Sequence, residues 1–374
     1  MRGALLSVGV AALVACGSDS EGDDGEAEKP ALIVPDRSGA TIQLNPEQLS
    51  VDRSFTLVAS SSTEENRRSP FTGDFPDSRV DALYALDYPS GSSRLLMEEP
   101  TDGRFVEPLR LLRGGSTPYY LTRASSLDEV VVHEVDLTTN AVTEFAVGAA
   151  PERCEAVVGA DFYFAFQADL QVSRGFATQT SPASTARLAE ASNCGLSLYA
   201  LDGFPVALDR VTGSGGEVFR LSLLDSGTGE PDAAPLAEIP LNTLATDARD
   251  PEFSVDSDGL WALSSDFVSL ELWRASYARE PGSTGTVGEI DAPTRIGGFD
   301  STFFEPFTLG GTISIESIFG FSVRDGVVAI GVEVVETSGG ERFSFFALVI
   351  AEPSAGTADL IDLGGAVQGL ELFP

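Results

Sequence analysis

Val130-Val131-Val132-His133-Glu134-Val135-Asp136-Leu137, then Thr138-Thr139-Asn140, then Ala141-Val142-Thr143-Glu144-Phe145 is the stretch that decides the fold. The first segment is β-branched and alternates, as a strand does. The polar triplet has turn chemistry, and the last segment is a second alternating strand. The same order recurs along the chain. Turns at Asp52-Arg53-Ser54, Gly114-Gly115-Ser116, Gly159-Ala160-Asp161, Asp202-Gly203, Asp258-Gly259 and Asp325-Gly326 each precede an apolar strand, such as Leu260-Trp261-Ala262-Leu263. A third strand follows, as in Leu83-Tyr84-Ala85-Leu86-Asp87, Val218-Phe219-Arg220-Leu221, Leu270-Glu271-Leu272-Trp273 and Phe345-Phe346-Ala347-Leu348. Units recur every 40 to 70 residues or so, the period of propeller blades with insertions.

A twisted four-stranded sheet cannot bury both faces alone, so such units stack face to face around an axis. The expectation is an all-β fold: a β-propeller of six four-stranded blades, with seven the alternative, forming a single domain over 31–374. Ala31-Leu32-Ile33-Val34 and Leu370-Glu371-Leu372-Phe373 are expected to join one blade and close the ring. A pair of β-sandwich domains is the competing architecture, but no linker-like change of composition divides the body.

At the other end, Leu13-Val14-Ala15-Cys16 closes a short apolar run that begins after Arg2. The run is too short to span a bilayer and has the anatomy of a removable signal. These residues resemble the lipobox of bacterial lipoproteins. The resemblance implies a signal peptide over 1–15, acyl chains on Cys16, and an extracytoplasmic protein held to a membrane by that lipid. Gly17 stands where an aspartate would favour retention at the inner membrane, so the outer membrane is favoured, at its periplasmic face or at the cell surface. Residues 16–30 hold glycine, serine and acidic residues with no large apolar side chain, the composition of a disordered tether.

With this address, the body resembles the broad class of bacterial propeller lipoproteins. Tyr84-Ala85-Leu86-Asp87-Tyr88-Pro89-Ser90-Gly91 is similar to the third-strand turn of quinone-dependent propellers, but the tryptophan that follows in those repeats is missing, with Leu95 and Leu96 nearby. The regular eight-blade repeat of the barrel-assembly propeller lipoprotein is not visible either.

A net charge of −34 repels phosphate backbones and disfavours nucleic acid as a partner. Of three cysteines, Cys16 is assigned to lipid, leaving Cys154 and Cys194 as a disulfide candidate that would staple consecutive blades; buried free thiols are the alternative. His133 is the only histidine and shares a strand face with Val131 and Val135, which makes it a core residue. Lys29 is the only lysine and falls in the tether. Neither a Ser-His-Asp triad nor a Ser-Lys dyad can therefore be assembled. Asp256-Ser257-Asp258-Gly259 opens like a calcium loop but lacks the later ligands, so it is a turn. No cofactor is expected beyond weakly bound calcium, and the chain is expected to be a monomer.

Three long connections, Ser61–Val80, Pro240–Glu252 and Asp291–Thr312, fall on one face in this register, and binding residues concentrate on such loops. In the first, Arg67 and Arg68, with the aromatic Phe71 beside them, could meet an anionic partner or simply pair with Glu64 and Glu65. In the last, Phe299, Phe303, Phe304 and Phe307 either form an exposed patch or pack between blades. The reading is a non-enzymatic binding or scaffold module for a protein or glycan partner. The alternative is a glycan hydrolase or lyase using a carboxylate pair at the channel mouth, drawn from Asp74, Asp77, Asp247, Asp250 and Glu305.

Overall fold

The structure is a computed structural model. It describes residues 32–33, 49–61, 82–98, 105–124, 129–149, 154–158, 161–165, 170–174, 185–189, 197–213, 216–225, 231–244, 251–283, 288–308, 310–363 and 369–374. The described regular structure is β-strand apart from two short 3-10 turns. Strands assemble into six sheets, five of four antiparallel strands and one of five with a single parallel pairing at its edge.

Blade 1 runs outward from Gly369–Phe373 through Phe55–Ser61 and Ala82–Tyr88 to Ser92–Glu98. Blade 2 comprises Phe105–Gly114, Thr117–Ala124, Glu129–Val135 and Val142–Ala149. Blade 3 comprises Cys154–Val158, Asp161–Ala165, Leu170–Arg174 and Thr185–Ala189. Blade 4 comprises Ser197–Leu201, Phe204–Gly213, Gly216–Leu223 and Ala237–Pro240. Blade 5 comprises Glu252–Asp256, Gly259–Ser265, Ser269–Ala275 and Thr294–Asp300. Blade 6 comprises Thr312–Arg324, Val327–Ser338, Glu341–Glu352 and Thr357–Leu363. The first strand of each blade lies beside the first strands of its two neighbours, and the cycle closes where Gly369–Phe373 sits between blades 6 and 2. The all-β propeller class is as the sequence implies.

Ring closure differs from expectation. The two chain ends do not share a blade. The C-terminal strand supplies the innermost strand of blade 1, antiparallel to Phe55–Ser61. Leu32–Ile33 instead pairs in parallel with Leu360 and Ile361 on the outer edge of blade 6, and so makes that sheet five-stranded. The short apolar run at Leu32 fits any edge, and alternation alone does not choose the edge.

The core lies between blades. Leu57, Leu86 and Leu372 of blade 1 meet Ala329, Leu348, Ile350 and Ile361 of blade 6. Trp261, Leu263 and Leu272 of blade 5 meet Ile330, Val332 and Val349 on the opposite face of blade 6. The second strand of blade 6 is therefore apolar on both faces, and burying each such side chain stabilises by about 1.5–3 kcal/mol. Gly320 permits the seam with blade 1, because a Cβ there would fall 2.5 Å from the Leu370 Cβ.

Turns between first and second strands, and between third and fourth, mark the lower face; the others mark the upper face. Thr138-Thr139-Asn140 is a lower-face turn set by Asp136, whose carboxylate accepts from the Thr138 amide at 2.7 Å and the Thr139 hydroxyl at 2.8 Å. These bonds, led by the Thr139 hydroxyl, hold the Asp136 carboxyl below its usual range.

Candidate functional site: the upper face of blades 5 and 6

The second and third strands of blade 6 run 12 residues each, whereas its outer strand has seven and reaches only to the level of Phe346. The inner, second and third strands therefore continue past the outer one and rise on the upper face as a three-stranded extension. On its blade 5 side, Ile315 and Val334 are buried and Phe345 packs partly against them. Phe343 is next along this line and is 44% exposed.

The adjoining upper-face hairpin of blade 5 is Asp266-Phe267-Val268-Ser269. Its side chains at Phe267 and Val268 are 44% and 53% exposed. Phe267 adopts φ 71, a left-handed conformation uncommon for a bulky residue. Asp266 imposes the turn, accepting from the Ser269 amide at 2.7 Å, the Ser269 hydroxyl at 2.8 Å and the Val268 amide at 3.1 Å. Burial pushes the Asp266 carboxyl up, and these donors outweigh it and hold the carboxyl below its usual value. The Phe267 carbonyl accepts from the Ile315 amide at 2.7 Å, which fixes the hairpin tip to the base of the blade 6 extension.

The aromatic run between these blades is placed differently from an exposed patch. Thr294–Asp300 of the supposed Asp291–Thr312 loop is the outer strand of blade 5, and Phe299 lies within it opposite Leu270. The connection proper is a 3-10 turn, Ser301–Phe307, capped by Asp300. Phe303 and Phe304 are 8% and 0% exposed and pack in T-shaped contact within the core between blades 5 and 6. Both leave the candidate binding surface, because the gap between two splayed blades is apolar and takes the rings. Phe307 lies in that turn. Arg67, Arg68 and Phe71 lie outside the described residues, as do Cys16 and Cys194, and Cys154 opens the inner strand of blade 3. Of the carboxylate-pair candidates, Glu305 is exposed within this turn and the other four lie outside the described residues.

At the lower end of the axis, arginines hold the ring from within. Arg113 of blade 2 reaches across to donate to the Val255 carbonyl of blade 5 and the Val323 carbonyl of blade 6, both at 3.0 Å. Glu371 of blade 1 stands 3.9 Å from the same guanidinium. Arg324 of blade 6 donates to the Gly115 carbonyl at 3.0 Å. Burial, then the like charge of Arg113, lowers its pKa. Asp256 accepts from the Gly326 amide at 3.2 Å, and Asp258 accepts from the Trp261 indole and from Arg274. The Asp256–Gly259 segment is thus a hydrogen-bonded turn. His133 is buried within blade 2, its Nε2 2.8 Å from the Thr122 hydroxyl and its Nδ1 3.5 Å from Glu144. Among the described residues, no group of three or more His, Cys, Asp or Glu gathers as metal ligands, and no helix is long and apolar enough to cross a membrane.

Sequence reasoning missed Phe267, Val268 and Phe343 as surface residues and Arg113 and Arg324 as axial ones. A signal existed for the arginines, since each stands just before a first-to-second-strand turn, Gly114-Gly115 and Asp325-Gly326. For the phenylalanines none did, because one exposed ring among 23 phenylalanines has no pattern of its own.

No family model and no curated protein matches the chain. Among solved structures it is similar to TolB from Acinetobacter baumannii, at 11% identity and TM-score 0.49, over 86% of this chain and 67% of that one. It is also similar to a putative 6-phosphogluconolactonase from Bacteroides uniformis, at 11% identity and TM-score 0.43, over 85% and 99% of the two chains. A third is the β-propeller domain of the trilobed protease from Pyrococcus furiosus, at 10% identity and TM-score 0.31, over 71% and 96%. Likenesses this remote say nothing of activity or partners; the propeller itself is established by the closed ring of six sheets.

Proposed function

We propose that this chain is a lipid-anchored, extracytoplasmic propeller that binds a protein or glycan partner through the upper face of blades 5 and 6, without chemistry of its own. The observation that carries the reading is Phe267: a large ring, nearly half exposed, at the tip of a hairpin and in a left-handed conformation. Holding such a residue there costs about 1–2 kcal/mol relative to glycine. Backbone strain of this kind concentrates where a side chain must be displayed. Val268 beside it and Phe343 on the adjoining extension enlarge the apolar surface.

The direction of the chain supports the same reading. Leu32–Ile33 runs parallel to Thr357–Leu363, which rises from lower to upper face, so the chain enters that strand from the lower-face end. The described chain thus joins the propeller from its lower end, which suits a partner surface on the opposite, upper face. The arginine contacts across the lower axis leave partner binding to the opposite face.

The test is a crosslinking pull-down from intact cells, comparing wild type with Cys16→Ala and Phe267→Asn. The reading expects a partner captured by wild type and lost on Phe267→Asn, with capture from Cys16→Ala diminished. The same captured set from wild type and Phe267→Asn overturns the upper-face assignment.

A further inference from the structure

We infer that the partner is engaged as an added β-strand, an extended peptide carrying basic and apolar residues that docks along the open edge Glu341–Ser344 of blade 6. This rests on the upper-face reading above. The outer strand of blade 6 pairs with the third strand only from Glu352 to Phe346. Beyond that point the third strand continues, with its inner side held by the register from Ser338↔Glu341 to Val335↔Ser344. Among the described residues no strand lies along its outer side. Glu341, Arg342, Phe343 and Ser344 are all exposed. Successive side chains of a strand point to opposite faces, so four consecutive exposed residues leave both faces open, and among the described residues the edge is unpaired.

Such an edge offers a row of backbone donors and acceptors, the template used in recognition by strand addition. Side-chain chemistry defines what fits. On the extension Glu316, Glu333 and Glu341 reach solvent and Glu336 is buried on the Gly311 amide, against one cation, Arg342. Arg342 is already engaged by Glu316 at 2.9 Å. The edge therefore favours positive residues on the incoming strand. On the blade 5 side Phe343 continues the apolar line of Phe345, Val334 and Ile315, so alternate residues of the incoming strand meet an apolar surface. A second copy of this chain is disfavoured, since two bodies each of formal charge −34 repel.

The test uses the full-length anchored protein in detergent and, as probe, a short peptide alternating lysine and valine. Binding is followed by calorimetry and by hydrogen exchange at 341–344. The inference predicts slowed exchange confined to this segment. N-methylation of alternate peptide nitrogens, which removes strand hydrogen bonds and leaves charge intact, weakens binding by about tenfold or more, the equivalent of about 1.4 kcal/mol. Replacing lysine by glutamate abolishes binding, and Phe343→Ser weakens it in a protein whose melting is unchanged. Equal binding of the methylated peptide, protection elsewhere, or self-association of the free protein through 341–344 overturns strand addition. If strand addition fails while Phe267→Asn still loses its partner, the upper-face reading stands. If Phe267→Asn keeps every partner, that reading fails whatever the peptide does.

Discussion

Asp359→Ala should open the ring at the seam between blades 6 and 1. Asp359 belongs to the outer strand of blade 6 and is fully buried. It accepts from the Ser50 amide and hydroxyl, both at 2.7 Å, from the Val51 amide at 3.1 Å, and from the Tyr88 hydroxyl of blade 1. Tyr88 also donates to the Val51 carbonyl at 3.1 Å. One carboxylate thus joins the segment leading into blade 1, the third strand of blade 1 and the edge of blade 6. Bonds to a charged acceptor are worth about 1.5–3 kcal/mol each. Ser50 is partly exposed and can regain water, so the main losses are at Val51 and Tyr88, and the expected cost is about 3–5 kcal/mol. Unfolding entropy of about 2.1 cal/mol/K per residue converts this to a fall in Tm of about 5 °C for a chain of this length. The assay is scanning calorimetry of wild type, Asp359→Ala and Asp359→Asn, with hydrogen exchange on Phe55–Ser61 and Gly369–Phe373. Alanine should melt lowest, and those strands should exchange first. An alanine variant that melts with wild type refutes the latch.

Three further outcomes follow from the same contacts. Burial, then the bond to Asp359, raises the Tyr88 pKa above its unfolded value near 10.0. The unfolded chain therefore loses this proton first, so the stabilisation is complete below pH 10 and declines above it by about 1.4 kcal/mol per pH unit. Tyr119 adds a share between its unfolded value and a folded value pushed up to about 12, chiefly by burial; urea unfolding across this range should be less steep in pH for Tyr88→Phe than for wild type. Arg113→Met removes two carbonyl contacts across the axis and should cost about 2–3 kcal/mol. Paired with Arg324→Met it should cost more than the sum of the single losses, because each single substitution also relieves the like-charge repulsion between the two guanidinium groups, and the pair can relieve it only once. Phe267→Asn should be more stable than Phe267→Ala by about 1 kcal/mol in urea unfolding, since asparagine accepts the left-handed conformation and alanine does not.

The fold was legible because its turns repeat. Asp202-Gly203 and Asp325-Gly326 fall between first and second strands, with φ 49, 82, 50 and 77 in chain order, where glycine and aspartate lower the strain. The edge taken by Leu32–Ile33 was not legible, because parallel and antiparallel partners demand the same apolar pair. Phe303 and Phe304 carried the right composition for two opposite fates, and only the width of the gap between blades decides burial. Phe267 could not be singled out either. Its exposure arises from a backbone conformation that Asp266 and Ser269 impose locally, which residue identity alone does not announce. Asp359 looked like one more acid on an acidic surface. Burial is a property of the neighbouring blade, which sequence distance hides: Ser50 lies 309 residues away.

The central claim is that the upper face of blades 5 and 6 meets the partner. Its most direct test places a photoreactive phenylalanine analogue at Phe267, and separately at Asp325, which is exposed on a lower-face turn. After irradiation of intact cells, the account predicts a discrete adduct from position 267 and none from position 325. An adduct from 325 alone, or the same adduct from both, contradicts it.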